Sequence, residues 1–415
     1  MRCRMSFYRG LIVALLLCCL SPAYYVEANP GRSISEYLPS EVIVKLKPSA
    51  DIRKFAARFG LRGSSSSIDR LGPRSIYRMQ IADGDTPKHK AAVLAQEPLV
   101  VYAEPNYQGQ IPEARLRSSW VVGGDIHEYV AQWAPAMMRL PEAHAVSGGA
   151  GVTIAILDTG IDLSHPALAG RLVSGYDFVD MDSNPSEEGA YGQDNAFGHG
   201  THVAGLVALA APDAKIMPLR TLRPDGSGTI WMQAEALRYA IERGADVINL
   251  SYSYDQPSQL LDDVLAEVTC SAPGNRDCRS TTRPGAVVVA AAGNDGANSR
   301  EYPAAARAPG VLAVGASTEA DVLAAFSNYG SWVQVAAPGD RILSTIPGGG
   351  FATWSGTSMA TPLTAGTIAL LRAARPAMRP VEVVSRLTTT AAAINSQVRR
   401  RVDAAAALGL GAALP

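Results

Sequence analysis

The strongest constraint on the fold is a set of short apolar runs that lack a period of two. Residues 152–157, 215–219, 247–250 and 286–290 are rich in Val, Ile, Leu and Ala, and they do not alternate with polar residues. A strand with one wet face alternates, whereas a strand of a parallel sheet covered on both faces reads as a near-continuous apolar run. Helical patterns lie between the runs. Residues 199–209 read as a helix, and Ile230, Ala234, Leu237 and Ile241 line one helix face that Gly244 closes. Residues 363–371 form a long apolar stretch before Pro376. The expected fold is α/β: a doubly wound, mostly parallel sheet with helices on both faces. Its functional groups belong beyond the carboxyl ends of the strands.

A smaller unit precedes this domain. Val42, Val44 and Leu46 alternate as in a strand, and Tyr77, Met79 and Ile81 do so again. Ile52, Phe55, Ala56 and Phe59 follow helical spacing up to Gly60. Thr86-Pro87 reads as a cap and first-turn proline. With a strand at 99–103 and a weak one between 64 and 72, residues 34–110 predict a ferredoxin-like β-α-β-β-α-β domain. Residues 111–130, with Pro112, Gly123 and Gly124, read as a linker carrying a processing site. Residues 131–415 form the large domain.

The first 28 residues read as a signal peptide. Arg2, Arg4 and Arg9 precede an apolar run over 11–20 that is short for a membrane span, and Val26-Glu27-Ala28 offers small residues at a cleavage site. The expectation is a secreted or periplasmic protein with no membrane attachment after the signal is removed. Cys270 and Cys278 alone remain of five cysteines, in one Ser/Pro/Gly/Asn-rich stretch, and in an exported chain they predict a disulfide. A net charge of -1 gives no electrostatic footprint for nucleic acid.

Chemistry collects at four places. Ser358 lies between small residues just before the 363–371 run, where backbone N–H groups and the positive end of a helix dipole gather. The same residue type is also a preferred helix cap. Asp158 directly follows the first apolar run, as a functional carboxylate or as a turn residue. His199 and His202 sit among glycines; three apart, they also suit a metal, although no Glu or Cys accompanies them as in a zincin motif. Asn294 follows the fourth run, as a turn residue or as a side-chain donor. No histidine follows Ser358, which excludes the Ser…Asp…His order of α/β-hydrolases for this serine.

The order Asp158…His199…Ser358 carries a resemblance. Residues 155–162 (AILDTGID), 198–205 (GHGTHVAG) and 355–362 (SGTSMATP), with 291–294 (AAGN), resemble the subtilisin-like serine peptidases, over roughly residues 130–410. The resemblance implies an endopeptidase that works through an acyl-enzyme. Asp158, His199 and Ser358 would be its triad and Asn294 its oxyanion donor. Gly226, Ser227 and Gly228 match the family's edge strand that pairs with substrate backbone. Ser251, Tyr252 and Ser253, with Ala291, Ala292 and Gly293, match the walls of its specificity pocket. Residues 101–107 resemble the end of the family's inhibitory propeptide. The implied partners are polypeptide substrates and the chain's own propeptide, and a monomer is expected. No cofactor is required for the chemistry. Structural calcium is compatible with the family, but residues 207–212 lack the insertion that carries its strong site.

Overall fold

The computed structural model describes residues 25–26, 35–63, 69–72, 75–115, 120–270, 284–306 and 308–411. The signal-peptide reading falls almost wholly outside them, as does Cys278. Two layers of helix enclose a nine-stranded sheet. Its order is Ala392–Ala393, Arg400–Arg401, Val335–Pro338, Val311–Ser317, Val287–Ala291, Val247–Leu250, Thr153–Asp158, Lys215–Arg220 and Tyr176–Asp177. Every pair is parallel except the terminal hairpin. The strands of residues 153–158, 247–250, 287–291 and 311–317 are buried along nearly their whole length, as their unalternating apolar runs require.

The strand order reverses at Thr153–Asp158. The chain adds Lys215–Arg220 on one side of it and then Val247–Leu250 and its successors on the other. A crevice opens beyond the carboxyl ends at such a reversal. Asp158 ends the first strand, and the helices His199–Ala210 and Thr357–Ala374 pack together below the crevice. Their contact is close because Gly366 faces Ala210; a Cβ there would lie 2.4 Å from the alanine methyl.

The small domain is an antiparallel sheet of Leu61–Arg62, Ile76–Ile81, Tyr37–Leu46 and Val100–Gln110, with Asp69–Arg70 alongside Ile76–Ile81. Helices Ile52–Arg58 and Pro87–Leu94 flank it, capped by Asp51 and Thr86. Its last strand does not stop at the domain's edge. Gln108, Gly109 and Gln110 pair with Thr229, Gly228 and Ser227 of the large domain, so one sheet spans both. Glu104 extends the grip. Its carboxylate accepts from Ser258 Oγ and the N–H groups of Gln259 and Leu260, at 2.8, 2.9 and 3.0 Å, at the start of helix Gln259–Val268. A carboxylate there satisfies orphan donors and meets the positive end of the helix dipole.

Candidate active site

Asp158, His199, Ser358 and Asn294 converge although 200 residues separate the first from the last. His199 begins its helix after Gly198, whose φ of 90° only glycine adopts readily. Its Nδ1 lies 2.7 Å from Asp158 Oδ1. The same carboxylate oxygen accepts from Thr159 N–H at 2.8 Å and from Thr159 Oγ at 3.3 Å. Gly200 must be glycine, because a Cβ would fall 2.1 Å from the Gly160 carbonyl. The His199 ring meets Trp354 edge to face at 5.4 Å.

The cap of helix Thr357–Ala374 is Gly356, and Ser358 is its second residue. Thr357 anchors the turn: its N–H and hydroxyl both donate to Asn294 Oδ1 at 2.9 Å. That leaves the Asn294 Nδ2 group directed at the space beside Ser358. Pro362 is the sixth residue of this helix. It cannot return a hydrogen bond to the Ser358 carbonyl four residues back, and Ser251 Oγ takes that carbonyl instead, at 3.2 Å.

Glu113, from a short turn Pro112–Arg115, occupies the centre. Its carboxylate accepts from Ser358 Oγ at 2.7 Å through Oε2 and from Asn294 Nδ2 at 2.9 Å through Oε1. His199 Nε2 is 3.4 Å from Oε2, and both side chains are sealed from solvent. Oε1 thus faces the Asn294 amide, and Oε2 lies between the Ser358 hydroxyl and the His199 ring. Burial alone disfavours a charged His199, but Asp158 first and then Glu113 outweigh it and hold the imidazolium up to about 10. Burial pushes the Glu113 carboxyl up, and His199, Ser358 and Asn294 together bring it below its usual range.

Several of the remaining predicted residues meet residues 108–111. Residues 108–111 run between Ser227–Thr229 on one side and Ser253 on the other. Ile111 N–H donates to the Gly226 carbonyl at 3.2 Å. Tyr252 and Tyr254 are buried, and their rings pack edge to face at 5.7 Å. Gly109 lies directly on them; a Cβ there would sit 2.5 Å from the Tyr254 ring and from the Ser253 carbonyl. Next to Asn294, Gly293 has φ 98° and donates to Thr357 Oγ at 3.2 Å. Asn328 binds the Ala292 carbonyl and the Asp295 N–H, which turns Asp295 into the loop.

Two histidine readings separate here. His202 Nε2 donates to the Ala352 carbonyl at 3.1 Å; burial, then the charge of His199, pushes the ring down to about 3. It is a core histidine. Among the described residues the cluster with metal-ligand geometry is Asp177, Asp180 and Glu188, which includes neither histidine, and the Arg220 guanidinium pairs with all three at 2.6–2.7 Å. Two carboxylates had no sequence signal. Glu113 lies in the linker. Glu187 lies in an acidic loop, half-buried beside Thr201, to whose N–H and hydroxyl it bonds at 3.1 and 2.8 Å; desolvation pushes it up to about 7.

Comparison with known proteins agrees with this geometry. Residues 149–410 match the Subtilase family and residues 25–106 match the fervidolysin N-terminal prodomain. The chain is 36% identical over 362 residues to a thermophilic serine proteinase of Bacillus sp. (strain AK1), covering 85% of this chain and 82% of that one. It is 40% identical over 250 residues to thermitase of Thermoactinomyces vulgaris, covering 58% and 81%. Fervidolysin of Fervidobacterium pennivorans, a keratinolytic enzyme related to subtilisin, superposes with a TM-score of 0.72 at 23% identity. That match covers 93% of this chain and 63% of fervidolysin.

Proposed function

The chain belongs to the subtilase family of serine proteases and carries a prodomain, and from that premise we propose that it is an exported, self-processing endopeptidase whose triad is Asp158, His199 and Ser358. The observation that supports it is convergence: a nucleophile, a base and an amide donor all address the two oxygens of one buried carboxylate, at 2.7, 3.4 and 2.9 Å. Ser358 Oγ attacks the scissile carbonyl while His199 takes its proton and later gives it to the leaving amine. Asp158 fixes the imidazole tautomer and stabilises the imidazolium. Asn294 Nδ2 and backbone N–H at the start of helix Thr357–Ala374 receive the oxyanion. The substrates are polypeptides, held by backbone pairing along Ser227–Thr229 and Ser253 as residues 108–110 are held here.

Export rests on the amino-terminal signal pattern. No helix among the described residues is long and apolar enough to cross a membrane. The other proposed features are a Cys270–Cys278 disulfide, a monomer, and no calcium on the uninterrupted helix His199–Ala210. One intact-mass experiment tests the main reading. The mature protein should cleave casein, and an organophosphonate probe should add one mass equivalent, on the peptide bearing Ser358. Uncut casein with the label elsewhere would sink the proposal. The same spectra before and after reduction report the disulfide.

The oxyanion role gives a second expectation. Asn294→Leu should lower kcat about 10²–10³-fold with KM nearly unchanged, because the donor acts only as negative charge develops. A matching rise in KM instead would make Asn294 a ground-state contact.

A further inference from the structure

The strand that fills the groove ends in an unusual way. Gln110 and Ser253 exchange both main-chain hydrogen bonds, at 3.1 and 3.0 Å. In an antiparallel ladder the next such pair would be residues 112 and 251. The Ser251 carbonyl does face the catalytic end, 3.4 Å from Ser358 Oγ. Residue 112, however, is proline and has no N–H to offer it. The chain leaves the ladder there and coils into the turn Pro112–Arg115. What meets the nucleophile is then a side chain. The Glu113 side chain is 1% exposed and touches Ser358, Asn294 and His199 together. Gly356 makes room for it, since a Cβ at that residue would lie 1.8 Å from Glu113 Oε1.

We propose that Glu113 is an internal carboxylate inhibitor: in the uncut chain its side chain occupies the catalytic centre in place of a peptide group, and it must leave before Ser358 attacks any bond. The inference rests on the triad reading above. A carboxylate suits the role on chemical grounds. It places negative charge where the oxyanion donor is prepared for it. Its carbon is a poor electrophile, so Ser358 gains no acyl group from it. It also keeps His199 as an imidazolium, which cannot accept the Ser358 proton. Pro112 and Glu113 thus act in sequence, the first ending the substrate-like ladder and the second filling the space beyond it. Unwinding the 112–115 turn is the step that frees the site.

Two measurements on the full-length chain test this. The first follows conversion of precursor to mature protein in Glu113→Gln and Glu113→Ala. Loss of a charge-assisted bond to a buried group should speed the first cut roughly tenfold to a hundredfold. Rates equal to the wild type would overturn the proposal. The second needs no peptidase activity. In a full-length Ser358→Ala chain, which cannot cut itself, the His199 imidazole is titrated by NMR, with and without Glu113→Gln. The other titratable groups around the ring are Asp158 on its far nitrogen, His202 three residues on, and Glu187 beyond Thr159 and Thr201; all stay in place. With Glu113 the ring should stay charged to about pH 10, and without it the midpoint should fall by roughly one to two pH units. An unchanged midpoint overturns the proposal whatever the processing rate. A shifted midpoint together with casein left uncut by the mature wild type would refute the peptidase reading and leave the Glu113 contact standing.

Discussion

Replacing Ser358 by alanine is expected to lower kcat on a peptide substrate by about 10⁶ and to leave the precursor at full length, with the prodomain attached. The size of the effect follows from what the hydroxyl does. Without Oγ no acyl-enzyme forms, and His199 has no proton to take that leads to chemistry. What survives is binding and the oxyanion donors, which sustain roughly 10³–10⁴ over the uncatalysed rate. The fold should not suffer. Thr357 holds the helix start through Asn294, and Ser251 Oγ bonds the backbone carbonyl of residue 358, which alanine retains. Purification of the variant at precursor mass, with circular dichroism like the wild type, is the expected outcome. Appearance of mature protein in that preparation would remove Ser358 from the mechanism.

The sheet and the four convergent residues were legible because each is encoded locally. Unalternating runs mark strands covered on both faces, and Asp158, His199, Asn294 and Ser358 each sit where such a run ends or a helix begins. Glu113 was not legible, because its role depends on contacts 245 residues away in sequence. It requires the prodomain strand to run on to Gln110, into the groove, and Pro112 to break the ladder there. The partner of the Ser358 carbonyl was not legible for a related reason: Pro362 leaves that carbonyl free within the helix, and Ser251, distant in sequence, donates to it. The first prodomain strand shows the limit of alternation. Its pairing shifts register between Tyr37 and Val42, so the period of two that marks Val42, Val44 and Leu46 does not reach back to Tyr37.

Latency should respond to pH in a direction set by the same groups. Glu113 is held below its ordinary range, so its share of the latch is present above the normal carboxylate range and is lost only as pH falls through the lowered value. His199 is raised, so its share is present below the ordinary imidazole value and is lost as pH rises through about 10. The latch is therefore firm across neutral pH.

Asp158→Asn should cost about 10⁴ in kcat, near 5.5 kcal/mol, with little change in KM. The substitution is nearly isosteric, so the loss must come from hydrogen-bond polarity. Asp158 Oδ1 accepts from three donors: His199 Nδ1, Thr159 N–H and Thr159 Oγ. Asp158 Oδ2 is buried and has no hydrogen-bond partner among the described residues. An asparagine has two ways to sit. With its carbonyl on the three donors, its NH₂ group is buried without an acceptor, at a cost of about 1–3 kcal/mol. With the amide reversed, NH₂ faces His199 Nδ1, which must then accept. The ring proton moves to Nε2, and the nitrogen that should take the Ser358 proton already carries one. The reversed amide also sets two donors of Thr159 against a third. Either arrangement removes the carboxylate charge that first raises His199. The triad reading thus predicts a defect in kcat that exceeds the Asn294 defect by at least tenfold, and a kcat within tenfold of the wild type would show that His199 is oriented by something other than Asp158.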